Sequence, residues 1–196
     1  MASEATGKVI LIMGSTDGIG RQTALDLARM GARVLLHGRN QQRGQETLET
    51  IRRETGNDQL ELYLADLSSR RQVRELANQI VGTHDRLDVV VNNAGVFEPA
   101  RRLTEDGVEM TFAVNYLAVF LLTQQILDLL KASAPSRIVN VSSGVHGTAN
   151  LDWDNLQGEK VYDGYQAYAL SKLSDVIFTL ELAERLRNTG VTANCL

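Results

Sequence analysis

The sequence predicts an α/β domain with a doubly wound parallel sheet, and two observations carry that expectation. Short apolar runs alternate along the chain with longer stretches of helical spacing, the order found where parallel strands are joined by right-handed helical crossovers. The runs are also nearly continuous in branched residues, as strands buried on both faces are, instead of alternating apolar with polar.

Val9-Ile10-Leu11-Ile12-Met13 is the first such run and ends in glycine. From Ile19 the spacing turns helical through Ala24, Leu25, Leu27, Ala28 and Met30, and Gly31 supplies a stop. A strand is then expected at Val34–Leu36, a helix at Arg43–Thr55, a strand at Leu60–Leu64, a helix at Gln72–Val81 and a strand at Leu87–Val91. A long helical stretch from about Glu105 to Lys131 follows, then a strand at Arg137–Val141 and an irregular segment. A helix from about Tyr165 to Asn188 and a strand at Val191–Leu196 complete the pattern. In such sheets ligands bind beyond the carboxyl ends of the strands, near the point where strand order reverses, so the residues after each strand are where chemistry is sought.

With 196 residues the chain can bury one substantial core, and a single domain over 1–196 is expected. Its net charge of -4 offers no general attraction for nucleic acid or anionic lipid, so any phosphate affinity has to be local. Hydrophobic residues at 43% and charged residues at 22% exclude the disordered and membrane classes. The first apolar run is too short to cross a bilayer and nothing before it resembles a signal peptide, so no membrane span is expected. The one cysteine, Cys195, excludes a disulfide framework and points to a reducing compartment, with a cytoplasmic location as the default. His37, His84 and His146 lack metal-ligand spacing, so they are read as structural or surface residues and no metal is expected.

Gly14-Ser15-Thr16-Asp17-Gly18-Ile19-Gly20 joins the first strand to the first helix. Its glycines permit close backbone approach to a pyrophosphate, and the helix N-terminus adds partial positive charge. After the second strand, His37-Gly38-Arg39-Asn40 lacks the acidic residue with which an NAD-selective site holds the ribose hydroxyls, whereas Arg39 can face a 2′-phosphate. NADP(H) is therefore expected over NAD(H). Asp66, in Leu64-Ala65-Asp66-Leu67, follows the third strand and reads by itself as a helix N-cap shared with Ser68 or Ser69. Asn92-Asn93-Ala94-Gly95 follows the fourth and by itself suggests only a tight turn.

Tyr168-Ala169-Leu170-Ser171-Lys172 holds the only YxxxK in the chain, and a spacing of four puts Tyr168 and Lys172 on one helix face. Tyrosine ionises near pH 10 in water, about three units too high for easy proton exchange at neutral pH, so it needs help to act as acid or base. A neighbouring ammonium favours the phenolate. Ser142 and Ser143 end the fifth strand, at the sheet edge where a carbonyl substrate would sit. Asn115 falls inside a helical stretch, where asparagine is a mediocre choice.

In this order, the GxxxGxG loop, the NNAG segment, the serine-ended strand and the YxxxK helix resemble the short-chain dehydrogenase/reductase family, from about Lys8 to Leu196. The resemblance implies a nicotinamide-binding Rossmann fold that interconverts a carbonyl and an alcohol. It implies Asn115, Ser143, Tyr168 and Lys172 as the catalytic set, with Ser142 positioning the backbone. Ser143 would bond the substrate oxygen, Tyr168 exchange the proton, Lys172 promote its ionisation and hold the nicotinamide ribose, and Asn115 complete a water relay from a distorted helix. Asp66, with Leu67, would lie along the adenine, and Asn92, Ala94 and Gly95 along the cofactor. The family usually has threonine where this chain has Met13, which removes a hydroxyl bond that steadies the glycine loop.

Between Ser143 and Tyr168, Trp153-Asp154-Asn155-Leu156-Gln157-Gly158-Glu159-Lys160 is similar to the retinol-dehydrogenase-like branch, including its NLQ stretch. Members act on retinoids, steroids or other lipophilic carbonyls and alcohols, commonly with NADP(H). The family continues from a segment like Val191–Leu196 into a Pro-Gly motif, a substrate loop and a final strand, so a fold incomplete at its C-terminal end is expected. An exposed edge at the last strand would favour association, including into a homo-oligomer. Two other functions stay open. One is a catalytically silent NADP-binding module acting through partners; the other is an epimerase or dehydratase of the extended relatives, against which the GxxxGxG spacing and the chain length count.

Overall fold

A computed structural model describes residues 5–196. Six strands form one sheet in the order β3-β2-β1-β4-β5-β6. They are β1 (Val9–Met13), β2 (Arg33–Gly38), β3 (Leu60–Leu64), β4 (Val89–Asn92), β5 (Ser136–Asn140) and β6 (Val191–Cys195), and every neighbouring pair is parallel. Helices α1 (Gly18–Arg29) and α2 (Gln41–Thr55) cover one face; α3 (Arg70–Thr83), α4 (Met110–Ala132) and α5 (Gly164–Arg185) cover the other.

The side-chain period of β1 sets this division. Ile10 and Ile12 enter a core with Ala24, Ala28, Leu48 and Ile51, while Leu11 and Met13 enter the opposite core with Leu76, Ile80, Leu122 and Ile126. A strand with a core on each side has no position for a polar residue, which is why this run is unbroken. Helix α4 is long and apolar enough to cross a membrane, but its Leu122, Ile126 and Leu130 are fully buried against the sheet.

Most element boundaries differ from the sequence pattern by one to five residues, and the start of α4 and the end of α5 have a visible local reason. The stretch from Glu105 is not helical until Met110: Leu103 and Glu109 form an antiparallel bridge around Gly107 (φ +75°), and Glu109 caps α4 by accepting the Thr111 and Phe112 amides at 2.9 and 2.7 Å. Strand β4 begins at Val89, although the Asp88 backbone still bonds to Val9 and Arg137, and the Asp88 carboxylate accepts the Val9 amide, Lys8 and Arg86 at 2.9 Å or less. Helix α5 stops at Arg185, and Asn188 takes a left-handed conformation with φ 65°.

A buried polar chain ties the strand ends to α5. Asn92 on β4 donates to its register partner Asn140 on β5 at 2.7 Å, Asn140 donates to Thr179 at 2.8 Å, and Thr179 donates to the Asp175 carbonyl at 2.6 Å.

Strand order reverses between β1 and β4, which opens a crevice at their carboxyl ends, and the loops that follow both strands border it. His37, on β2, lies buried beneath the glycine loop. Its Nδ1 accepts the Gly14 amide and its Nε2 faces the Ala65 carbonyl, both at 3.2 Å. Only the neutral ring protonated on Nε2 serves both partners. Burial pushes its pKa down from 6.5 to about 4, against smaller opposing effects of the Ala65 carbonyl and the Asp66 charge.

Between those two values the unfolded chain binds the extra proton. Neutral His37 therefore contributes stability that is complete above pH 6.5 and lost as the pH falls through about 4, roughly 3 kcal/mol in all. Denaturant unfolding across this window should register the loss, and His37→Gln should remove most of the difference between its ends. Equal pH dependence in the two proteins would refute the assignment.

Candidate active site

The crevice is a cleft of about 340 Å³. Of the residues that the sequence assigns to a cofactor, Gly14, Thr16, Asp17 and Gly18 line it from the loop and Arg39 lines it from the end of β2. Asp66, Leu67, Ala94 and Gly95 line it from the ends of β3 and β4. Ser15, Ile19, Gly20, Asn92, Tyr168 and Lys172 do not. Ser15 is buried, its hydroxyl accepting the His37 amide at 2.8 Å, Ile19 points to solvent, and Asn92 is engaged with Asn140. The Asp66 carboxylate accepts the Ser68 amide and hydroxyl at 2.9 and 2.8 Å, so it shapes the turn before α3 while Ser69 occupies the cap position.

Met13 cannot supply the hydroxyl bond expected of a threonine, and other groups steady the loop. The Asn93 side-chain amide reaches across the crevice to the carbonyls of Met13 and Gly14, at 3.2 and 3.1 Å. A Cβ on Gly20 would collide with the Gly14 carbonyl and the Asn93 amide; one on Gly14, whose φ is +70°, would lie 2.8 Å from the Ala94 Cα. These two glycines are required by the close approach of the loop to the segment after β4.

Gly18 is different, because a Cβ there would meet nothing within 4 Å. Free space thus lies over the N-terminus of α1, where unpaired amides and the helix dipole favour a phosphate. A glycine-rich loop, a helix N-terminus and an open approach at Gly18 coincide, and the residues present fit a dinucleotide. Asp17 brings a negative charge to the mouth; it caps the Gly18 amide at 2.8 Å and sits 3.7 Å from Arg43.

Past Gly95, near which Asn115 and Lys172 lie, stand the other predicted residues, outside the lining of the cleft. Lys172 is 4% exposed; its ammonium donates to the Val141 carbonyl at 2.8 Å and stands 5.9 Å from the centroid of the Tyr168 ring. The Ser142 hydroxyl donates to the Lys172 carbonyl at 2.8 Å, so the exit of β5 is fastened to α5 twice at one residue. Ser143 follows directly, half-buried, its hydroxyl accepting only a long 3.4 Å contact from the Val145 amide. Asn115 is completely buried in a π-helical segment, Ala113–Leu117, that interrupts α4. Its amide accepts the Val96 N–H at 2.8 Å and donates to the Val96 carbonyl and the Ser171 hydroxyl, each at 3.0 Å. It clamps the segment after β4 to the helix that carries Tyr168 and Lys172.

Sequence reasoning passed over three residues that the structure brings to this region. His37 and Asn93 hold the glycine loop from positions 23 and 79 residues away from Gly14, and no local pattern could mark such contacts. Asp175 lies 3.2 Å from the Lys172 ammonium; its i,i+3 spacing from Lys172 was visible, its burial was not.

The segment before α5 packs as a brace. The Gln157 side chain accepts the Glu109 amide at 3.0 Å, its carbonyl accepts Arg101 at 2.9 Å, and the Tyr162 hydroxyl donates to the Glu98 carbonyl at 2.9 Å. The loop so held carries Phe97, whose ring meets Tyr168 edge-on at 6.0 Å.

A sequence model of the short chain dehydrogenase family matches residues 8–196. The chain is 45% identical over 197 residues to retinol dehydrogenase 13 of Mus musculus, covering 99% of this chain and 59% of that protein. It is 45% identical over 186 residues to retinol dehydrogenase 11 of Homo sapiens, covering 95% of this chain and 58% of that protein. The chain thus spans less than two thirds of the length of the curated relatives it matches. Among solved structures, a short chain dehydrogenase of Shigella flexneri complexed with NADP is similar with a TM-score of 0.80 and 30% identity, over 100% of this chain and 78% of that one. A protein of Mycobacterium Paratuberculosis is similar with a TM-score of 0.85 and 31% identity, over 97% and 67%. Because the family match runs from β1 through β6 and takes in both walls of the crevice, the chain belongs to the short-chain dehydrogenase family.

Proposed function

We propose that the chain is an NADP(H)-dependent oxidoreductase that interconverts an alcohol and a carbonyl on a lipophilic substrate, with Tyr168 as general acid–base. The observation that carries this reading is Lys172, a buried ammonium anchored at the exit of β5 beneath the Tyr168 ring. Its charge lies beside the ring whose hydroxyl would exchange the proton. The Ser143 hydroxyl, weakly engaged, is free to donate to the substrate oxygen. Both side-chain atoms of Asn115 are committed, so a water relay through it would use its main-chain carbonyl, set out of ordinary register by the π segment. The nicotinamide, when bound, carries the hydride.

Two features support NADP(H). Arg39 is exposed at the cleft and makes no ion pair among the described residues. An acidic side chain at position 38 has no room, since a Cβ there would lie 2.5 Å from the Thr16 methyl. The NADP complex of the similar Shigella flexneri dehydrogenase agrees with this preference. The names of the retinol dehydrogenases and the apolar Phe97 beside Tyr168 support a lipophilic substrate.

With retinal, steroid ketones and simple aldehydes as a panel, Tyr168→Phe should lower kcat/KM by about 10²–10⁴-fold and leave the NADPH dissociation constant, read by fluorescence, within about twofold. Substantial residual turnover would sink the acid–base role. Arg39→Ala should weaken NADPH by roughly 10- to 100-fold through loss of a charge-assisted bond and leave NADH binding unchanged; equal effects on both nucleotides would remove Arg39 from the phosphate site.

A further inference from the structure

Asp175 has no part in the chemistry described above, yet it is 2% exposed on the inner face of α5. Its Oδ2 accepts from the Lys172 ammonium at 3.2 Å, and its Oδ1 has no partner among the described residues. An ionised carboxylate buried with one oxygen unsatisfied is costly unless a cation compensates it. Lys172 is the cation in contact with it. The lysine directs two of its three N–H groups to the Val141 carbonyl and Asp175. A Cβ on Gly95, at the cleft, would lie 3.9 Å from Nζ.

We propose that Asp175 is a positioning residue for Lys172: its carboxylate tethers the ammonium at the exit of β5 and offsets its charge, and so sets how strongly Lys172 draws Tyr168 toward the phenolate. This rests on the reading of Tyr168 and Lys172 as an acid–base pair. Tyr116 of the π segment also feels the Asp175 charge. The ion pair of Asp175 among the described residues is with Lys172.

Burial pushes the Asp175 carboxyl up to about 6, opposed by the charge and hydrogen bond of Lys172. At the pH where a tyrosine would deprotonate, Asp175 is therefore ionised, and its charge counts against the phenolate. Removing that charge leaves the ammonium uncompensated and the phenolate easier to form.

The first readout of the test needs neither nucleotide nor substrate. Phenolate absorbance of Tyr168 is isolated as the difference between a protein and the same protein carrying Tyr168→Phe. In Asp175→Asn, which keeps the shape and the acceptor, the titration should move to lower pH by about half a unit or more, and the acid limb of alcohol oxidation should move with it. An unmoved titration in a folded variant overturns the proposal. A reciprocal measurement protects against a variant that does not fold: carbon-13 titration of the Asp175 carboxyl should move up by about one unit or more in Lys172→Met, and an unmoved carboxyl overturns the tether. NADPH binding is measured alongside. Expected shifts without nucleotide binding would sink the proposed function and leave the tether standing; binding and turnover without the shifts would do the reverse.

Discussion

The side-chain amide of Asn93, bonded across the crevice to the carbonyls of Met13 and Gly14, is the contact on which the cofactor half of the site depends. At a switch point the strands on either side send their crossovers in opposite directions, so the loops after β1 and β4 have no shared backbone to hold them together. One side chain bridges them here, and it reaches only because Gly20 has none of its own. The Gly14 amide is held from the third side by the imidazole of His37, and Ser15 by the backbone of that same residue. Three strand exits are locked to one loop by the chain itself, which lowers the ordering cost that a bound nucleotide would otherwise meet.

The reacting half is built by the same means from different elements. Asn140 reaches Thr179, Ser142 reaches the Lys172 carbonyl, Lys172 reaches the Val141 carbonyl, and Asn115 joins Val96 to Ser171. A single neutral hydrogen bond adds only about 1 kcal/mol net, but a buried partner left unmade costs about 1–3 kcal/mol. The second figure decides the matter: a network of this kind resists partial loosening, and its value is geometric precision more than stability. The Lys172–Asp175 pair shows the trade most plainly. An apolar pair in that place would match or exceed its stability, but it would put no charge beneath Tyr168.

Much of this was legible in the sequence, and the reasons differ by residue. The unbroken apolar run of β1 disclosed a strand buried on both faces, and the GxxxGxG, NNAG and YxxxK segments lay at strand ends in the order that one crevice requires. Local periodicity failed where a side chain, and not the backbone pattern, sets the boundary. Glu109 caps α4 and holds the preceding residues in a bridge, whereas hydrophobic spacing alone carried the helix back to Glu105. Residues that act across the fold stayed hidden for a related reason. His37, which the sequence pattern places after the second strand as a structural or surface residue, lies within β2 and shows its role only once its partners, Gly14 and Ala65, are known to lie against it. Asn115 was recognised as out of place in a helix, but that its amide is a clamp between two segments required the fold.

Glu109 also joins the segment that is similar to the retinol-dehydrogenase-like branch to the part of the chain proposed to do the chemistry. Its carboxylate starts α4, six residues before Asn115, by accepting the Thr111 and Phe112 amides. The same carboxylate accepts the Tyr162 hydroxyl at 3.1 Å, and its backbone N–H is held by Gln157. The segment containing Asn155, Leu156 and Gln157 therefore does not merely decorate the surface. It leans on the first turn of the helix whose π segment presents Asn115, and on the loop that places Phe97 against Tyr168. A change in this segment would therefore reach the placement of Asn115 through the cap of α4.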